Sequence, residues 1–349
     1  MVASMSRTGA RSLLFLTAGD KNKASSRVRS FWITEQLNNS GFRCTVRWQH
    51  GRLAMVAHAF AILRHDTVIF QKTYSRYHRW LMQFARMLGK KTYVDIDDAP
   101  SRTNSAVTLR NFEAMCRTAD GVFAGSSNLV DYTRGFQANS HLVPSSIYLP
   151  HYQPVVKRDA ASSAAVCLGW VGNGKHYQRD LIEILETPLR ELAARHRLRF
   201  KLVGACGVKE LYEVFEQIPG LQIEFIDAVD WSDPSAVSQA ISDFDVGLYP
   251  LLPNEFNHYK CGFKALEYMA MSTPVVASPV ANNADVVQHG ETGLLVHTAD
   301  EWVASLEELI QDGQRRLIMG QKGRERVEVE FNTVHTADLL AELIQLQPN

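Results

Sequence analysis

Short apolar runs and longer amphipathic stretches alternate along this chain from end to end. In the first half the runs fall at Ser12–Ala18, Arg43–Trp48, Thr67–Phe70, Lys91–Asp95, Gly121–Ala124 and His141–Val143. Each is short, and each reads as a strand candidate. Between them, apolar residues three or four apart predict helices near 27–39, 52–64, 77–88, 106–117 and 127–136. The second half repeats the scheme, with strands at 165–171, 199–203, 222–226, 245–249, 274–277 and 293–296. Its helices are predicted near 177–195, 208–217, 234–242, 263–271 and 299–312, with two more toward the C-terminus. Such alternation means the α/β class, with parallel sheets covered on both faces. Two series mean two doubly wound domains, 1–150 and 165–330, with 331–349 a C-terminal helix packing back toward the first. Residues 144–164, rich in Pro, Ser and Ala, are expected to link them. Ligands of open α/β sheets bind at the carboxyl ends of the strands, so the site is expected where the two domains face each other.

Composition narrows the class. The 349 residues are 46% hydrophobic and 21% charged, as in soluble globular proteins. No run of about 18 apolar residues is present, so no spanning helix is expected. The start, MVASMSRTGARSLLFLTAG, imitates a signal peptide, but its apolar part is short and reads better as a first strand. Five cysteines without a CxxC pair argue for a reducing cytoplasm and against a disulfide or zinc framework. The zero net charge hides an asymmetry. Residues 1–150 hold 20 Lys and Arg against 9 Asp and Glu, and residues 151–349 hold 17 against 28. A basic half suits an anionic surface.

Residues 258–278, HYKCGFKALEYMAMSTPVVAS, carry the most chemistry. Lys260 and Lys264 stand at the predicted start of a helix, where the macrodipole disfavours cations. The backbone N–H groups of Cys261, Gly262 and Phe263 add to that field. A bound anion resolves the conflict, held by those amides and both ammonium groups, with Gly262 letting it approach. Glu267, one turn on and on the same helix face, can accept two hydrogen bonds from a vicinal diol such as ribose. Diphosphate and ribose together make a nucleotide. A solvated helix cap without a ligand is the other reading of the same residues.

With these residues in place, the chain resembles the GT-B glycosyltransferases, specifically family 4 of the retaining nucleotide-sugar enzymes. The likeness rests on the order and spacing of GWVG (169–172), FDVGLYPL (244–251), residues 258–278 and GETGLLV (290–296). In the first half it adds SSRVRSFWITEQLNNSGF (25–42), YVDIDD (93–98) and AGSSNLVDYTR (124–134). The resemblance implies a first Rossmann-like domain for the acceptor and a second for the donor. A sugar would pass from a nucleotide diphosphate to an acceptor hydroxyl with retained configuration and no essential metal. It implies Glu267 on the donor ribose. The other glutamate of the family's pair would fall at Tyr259, which leaves the donor sugar open. Asn173, after Gly172, replaces a usual arginine, with Lys175 or Arg179 as nearby charge. Lys260 and Lys264 match a branch reading K-x-x-x-K-x-x-E-Y-M-A. They are expected to hold the diphosphate and stabilise the charge that develops on it. Trp231 resembles a family tryptophan near the donor, and would stack on the base or pack half-buried.

In the first half, Ser25 or Ser26 is expected to cap a helix, with Arg27 and Arg29 reaching an anion there or lying on a solvated face. Many members place a histidine facing the sugar after YVDIDD. Asp97 or Asp98 stands near that place and is expected to contact sugar or acceptor in catalysis. With Asp95, these aspartates read alternatively as helix caps or ligands of a divalent ion. On a helix, Tyr77, Trp80, Leu81, Phe84 and Leu88 form an apolar stripe beside Arg79, Arg86, Lys90 and Lys91, suited to anionic lipid or to packing on the sheet. The expected partners are a nucleotide-sugar donor, a lipid-linked or polysaccharide acceptor, and an anionic membrane touched peripherally from the cytoplasm, ahead of nucleic acid. Two other readings stand, the first of them because Tyr259 and Asn173 replace usual donor contacts. One is a catalytically degenerate sugar-nucleotide-binding protein, the other a GT-B sugar-nucleotide epimerase.

Overall fold

A computed structural model of the chain describes residues 11–49, 51–100, 105–154 and 165–345. The start that imitates a leader (1–10) and residues 155–164 of the expected linker lie outside the described residues. The chain divides into two compact units, Met1–Ser145 with Thr333–Asn349, and Ser146–Asn332. No helix among the described residues is long and apolar enough to cross a membrane.

The first unit holds β1 (Ser12–Thr17), β2 (Arg43–Arg47), β3 (Thr67–Gln71), β4 (Lys91–Ile96), β5 (Gly121–Ala124) and β6 (Ser140–Leu142). They form one parallel sheet in the order β2-β1-β3-β4-β5-β6. The strand order reverses between β1 and β3, so the ligand crevice of this sheet opens there. Its helices are α1 (Ala24–Ser26), α2 (Trp32–Asn39), α3 (Arg52–Leu63), α4 (Arg76–Met87), α5 (Ala106–Thr118) and α6 (Ser127–Arg134). The last helix of the described chain returns to this unit. Its Ala337, Leu340 and Ile344 join Ile33 and Leu37 of α2 in one buried cluster.

The segment between α1 and α2 departs from the sequence expectation. The helix starts at Ala24 with Lys23 as its cap, and Arg27–Phe31 forms a π-helical turn before α2. Ser25 and Ser26 therefore lie inside the helix and do not cap it; Ser26 Oγ donates instead to Gln71 Oε1. The wider turn shifts the register of the side chains and brings both Arg27 and Arg29 inward.

The second unit holds β7 (Val166–Val171), β8 (Leu198–Val203), β9 (Leu221–Ile226), β10 (Val246–Tyr249), β11 (Val275–Ala277) and β12 (Gly293–Leu295). Their order is β12-β11-β10-β7-β8-β9, the doubly wound arrangement that reverses between β7 and β10. The helices are α7 (Gly174–Ala193), α8 (Lys209–Phe215), α9 (Pro234–Ala240), α10 (Glu255–His258), α11 (Phe263–Ala270), α12 (Asn283–Val286), α13 (Ala299–Gln311) and α14 (Gly313–Glu330). The returning helix of the first unit is α15 (Thr333–Gln345). One large core, with Trp170, Phe200, Phe244 and Trp302 almost wholly buried, fixes this unit. Its two ends lie side by side, because Ile147 N donates to Phe331 O at 2.8 Å and Ile147 bridges Asn332.

Candidate functional site

In the second unit, Lys264 and the N-terminus of α7 meet at the turn after β7, beside the point where the strand order reverses. Gly172 follows β7, and Asn173 caps α7 by accepting from the Lys175 amide at 3.1 Å. Lys175 is exposed, and Arg179 pairs with Glu183 on the solvent side of α7. The loop after β8 packs backbone to backbone on this turn. A side chain at Gly204, where φ is +87°, would meet the Gly172 carbonyl at 1.8 Å and the Trp231 ring at 3.1 Å. Only glycine fits there, and the exposed Trp231 is thereby set beside the β7 turn.

Lys264 reaches the same place from α11. Its Nζ lies 3.9 Å from the Tyr177 ring centroid, 5.2 Å from that of Tyr249 and 5.7 Å from that of Trp170. Rings at this range attract a cation through their quadrupoles without neutralising it. No carboxylate among the described residues lies within ion-pair distance of this ammonium. A methyl group on Gly172 would sit 2.6 Å from Lys264 Cε, so Gly172 and Lys264 are in contact. The first intrahelical bond of α11 is Leu266 N to Gly262 O, which leaves the Phe263, Lys264 and Ala265 amides at the helix mouth. Lys264, those amides and the α7 N-terminus together make a positive pocket edge.

Several expectations around α11 change. Lys260 does not belong to the helix; it precedes the Gly262 cap, and its Nζ lies 4.0 Å above the Phe256 ring. Gly262 is required by its left-handed backbone (φ +66°), and the space of its missing side chain faces Val286, at 3.0 Å, rather than an open approach. Tyr259 ends α10, and the Cys261 thiol is buried. Glu267 is 8% exposed and accepts from Tyr152 Oη at 2.8 Å, so a tyrosine 115 residues away orients this carboxylate. Asp180 of α7 accepts from Leu252 N and Asn257 Nδ2, pinning the loop that leads to Lys260, and burial pushes its carboxyl above the usual range.

In the first unit a second charged cluster lies at the ends of β3 and β4. Lys72, with a left-handed backbone (φ 49°), sends its Nζ to Asp97 at 2.8 Å and Asp98 at 3.1 Å. A strained backbone of this kind in a non-glycine residue often marks a functional position. The Lys72 ammonium occupies the place between the two carboxylates that a divalent ion would need, and among the described residues no group of three or more metal-ligating side chains is found. Arg29 is expected from sequence at an anion, and the structure corrects this. Its Nε and Nη2 donate to Asp95 at 3.1 and 2.7 Å, and its Nη1 to Val143 O, leaving no edge for a ligand. Arg27 donates to the Lys21 and Asn22 carbonyls and lies over Trp32, so it shapes the loop after β1 instead of reaching a helix-start anion. Lys72, Tyr152, Tyr177 and Tyr249 carry no local sequence signal and are found only through the fold.

The Lys72 cluster has a pH signature. Burial raises the Asp97 carboxyl, but the Lys72 ammonium outweighs it and holds the group below the usual carboxylate range. A depressed carboxyl supplies stability in full above its unfolded pKa, and that stability is lost as pH falls through the folded value. Lys72→Met should remove the stabilisation and leave Asp97 buried without its cation. Denaturant unfolding between pH 3 and pH 7 should then show stability rising toward acid in the variant, where the wild type falls. Parallel pH curves would show that the pair contributes nothing.

The two reversing parallel sheets define the GT-B glycosyltransferase fold. The UDP-bound HepE of Anabaena superposes with a TM-score of 0.71 at 13% identity, covering 97% of this chain and 100% of that one. Sucrose-phosphate synthase of Thermosynechococcus elongatus gives 0.69 at 17% identity, covering 97% and 98%. The lipopolysaccharide outer core galactosyltransferase WaaB gives 0.67 at 16% identity, covering 96% and 99%. Residues 165–312 match the family described as Glycosyl transferases group 1, so the second unit carries a domain of that family. Among sequence relatives, the D-inositol 3-phosphate glycosyltransferase of Corynebacterium aurimucosum is 45% identical over 62 residues, 17% of this chain and 15% of that protein. That of Gordonia bronchialis is 29% identical over 168 residues, 46% of this chain and 36% of that protein. The chain thus spans well under half the length of these relatives.

Proposed function

We propose that this protein is a retaining family 4 glycosyltransferase that moves a sugar from a nucleotide diphosphate to an acceptor hydroxyl. The observation that carries the reading is Lys264, an ammonium with aromatic neighbours and no ion-paired carboxylate, at the amide-rich mouth of α11 beside Gly172. An anion placed there would be met by Lys264 and backbone N–H groups, the arrangement that stabilises a departing diphosphate without a metal. Lys260, on the loop before α11, adds a second cation to that approach. Glu267, oriented by Tyr152, takes the ribose, and Trp231 flanks the base. HepE is known with UDP and with UDP-glucose, which supports a uridine diphosphate sugar as donor.

Asp97 and Asp98, held by Lys72 at the carboxyl ends of β3 and β4, meet the acceptor or the sugar. The likeness to WaaB supports an acceptor in lipopolysaccharide, polysaccharide or glycolipid synthesis. The enzyme would work from the cytoplasm, touching the inner face of the membrane through its basic first unit. A degenerate nucleotide-binding protein is the second reading, favoured by Asn173 serving as a helix cap where an arginine is usual.

Thermal stability against UDP, GDP, dTDP, ADP and CMP, with their sugar conjugates, tests the donor site. UDP at a hundred times its dissociation constant should stabilise the fold by about 2.7 kcal/mol. Glu267→Gln, which keeps an acceptor for Tyr152, should lose most of that gain. No upshift with any nucleotide would remove the donor site. Selective UDP binding without turnover on any acceptor would favour the degenerate reading.

A further inference from the structure

We infer that the solvent face of α3, continued by α4, docks on an anionic lipid bilayer, with α3 as the inserted element. The inference rests on the membrane contact proposed above and names its surface. After Arg52, α3 reads LAMVAHAFAIL, and its one polar residue, His58, is buried and bonded to Tyr77 Oη at 2.6 Å. That bond ties α3 to α4. The inner face of α3 is apolar in the usual way, with Ala61 and Ile62 buried.

The outer face is apolar too. Leu53, Val56, Phe60 and Leu63 fall on one helical stripe and are 89%, 53%, 58% and 48% exposed. A surface helix ordinarily turns polar residues to water; one that is apolar all round belongs in a core or against a membrane. On α4 the exposed Trp80 stacks on Phe84 at 5.5 Å, and Met87 beyond them is 84% exposed. The sequence stripe on α4 is thus only partly outward, since Leu81 packs into the core.

Charge selects the occupant. Between residues 51 and 94 the sole acidic residue is Asp66, against eight lysines and arginines. Arg64, at the end of α3, and Arg76, at the start of α4, are exposed and form no ion pair among the described residues. An apolar stripe edged by cations fits the interface of an anionic bilayer, where the stripe enters the acyl boundary and arginines meet phosphates. A second copy fits poorly, because a two-fold contact through this face would set the same cations against one another.

Flotation of the full chain with phosphatidylcholine vesicles, with and without phosphatidylglycerol, at low and high salt, tests the surface. The wild type should float with anionic vesicles at low salt and much less with neutral ones. Leu53→Asp with Phe60→Asp should weaken vesicle affinity by more than roughly tenfold, since both side chains would otherwise be buried in the acyl boundary. The UDP thermal upshift should stay unchanged and report an intact fold. Val329→Asp, on the exposed face of α14, should float like the wild type. Wild-type flotation that survives the double change would overturn the inference while leaving membrane contact standing. Failure of the wild type to float with any vesicle would remove the membrane reading and this surface with it. A wild-type dimer in light scattering that the double change converts to monomer would assign the face to self-contact and overturn the inference.

Discussion

Lys264→Ala should lower turnover by about a hundredfold to a thousandfold, the loss typical when one preorganised group facing a developing anion is removed. The effect should be chemical rather than structural. Lys264 is half-buried and anchors no ion pair among the described residues, so its removal costs the fold only its ring contacts, on the order of 1 kcal/mol. Nucleotide affinity should fall as well, because on the proposed reading the same ammonium meets the diphosphate in the ground state. Lys264→Arg retains charge, but a planar guanidinium cannot take the position that three rings and Gly172 shape for a compact ammonium. It should therefore recover little. Steady-state kinetics with UDP titration calorimetry would check both effects. A kcat/KM within about threefold of wild type would mean that the diphosphate lies elsewhere.

Arg29→Met should destabilise the first unit by about 3–5 kcal/mol, because it leaves the Asp95 carboxylate buried without its cation. The two side chains are 2% and 6% exposed, so water cannot replace the lost partner. The change also frees the Val143 carbonyl after β6, which Arg29 now satisfies. Replacing both members, as Arg29→Met with Asp95→Leu, should return most of the loss, since a buried ion pair is often matched by apolar residues of similar volume. Urea unfolding of the two variants would decide. Equal stability in the single and double variants would show that the destabilisation comes from lost packing and not from an abandoned charge.

The strands and long helices were legible because their signals are local. A parallel strand announces itself within five or six residues, and all twelve runs read in the sequence are strands in the structure, although the edge strands β2 and β9 are only partly buried. The short α10 and α12 span a single turn each and give no periodic pattern to read. The candidate site was legible only where its residues share a segment, as in Gly172–Asn173 and Lys264–Glu267. Partners brought together across the fold were invisible. Arg29 meets Asp95 from 66 residues away, and Tyr152 meets Glu267 from 115. Helical periodicity also misplaces Arg27 and Arg29, because the π turn resets the register that a regular helix would impose. Lys72 stands in a left-handed conformation that glycine or asparagine usually takes, so nothing in its identity marks the spot.

The second unit is a cassette spliced into the first. Its ends meet where Ile147 bonds Phe331 and bridges Asn332, while α15 completes the first unit from beyond the splice. On the ribosome, the cassette emerges whole before α15 exists, so the second unit can fold first while the α2 surface that α15 covers waits bare. The same adjacency offers genetic exchange a single place to cut: a foreign second unit joined at 146 and 332 would inherit this first unit without threading a new connection through it.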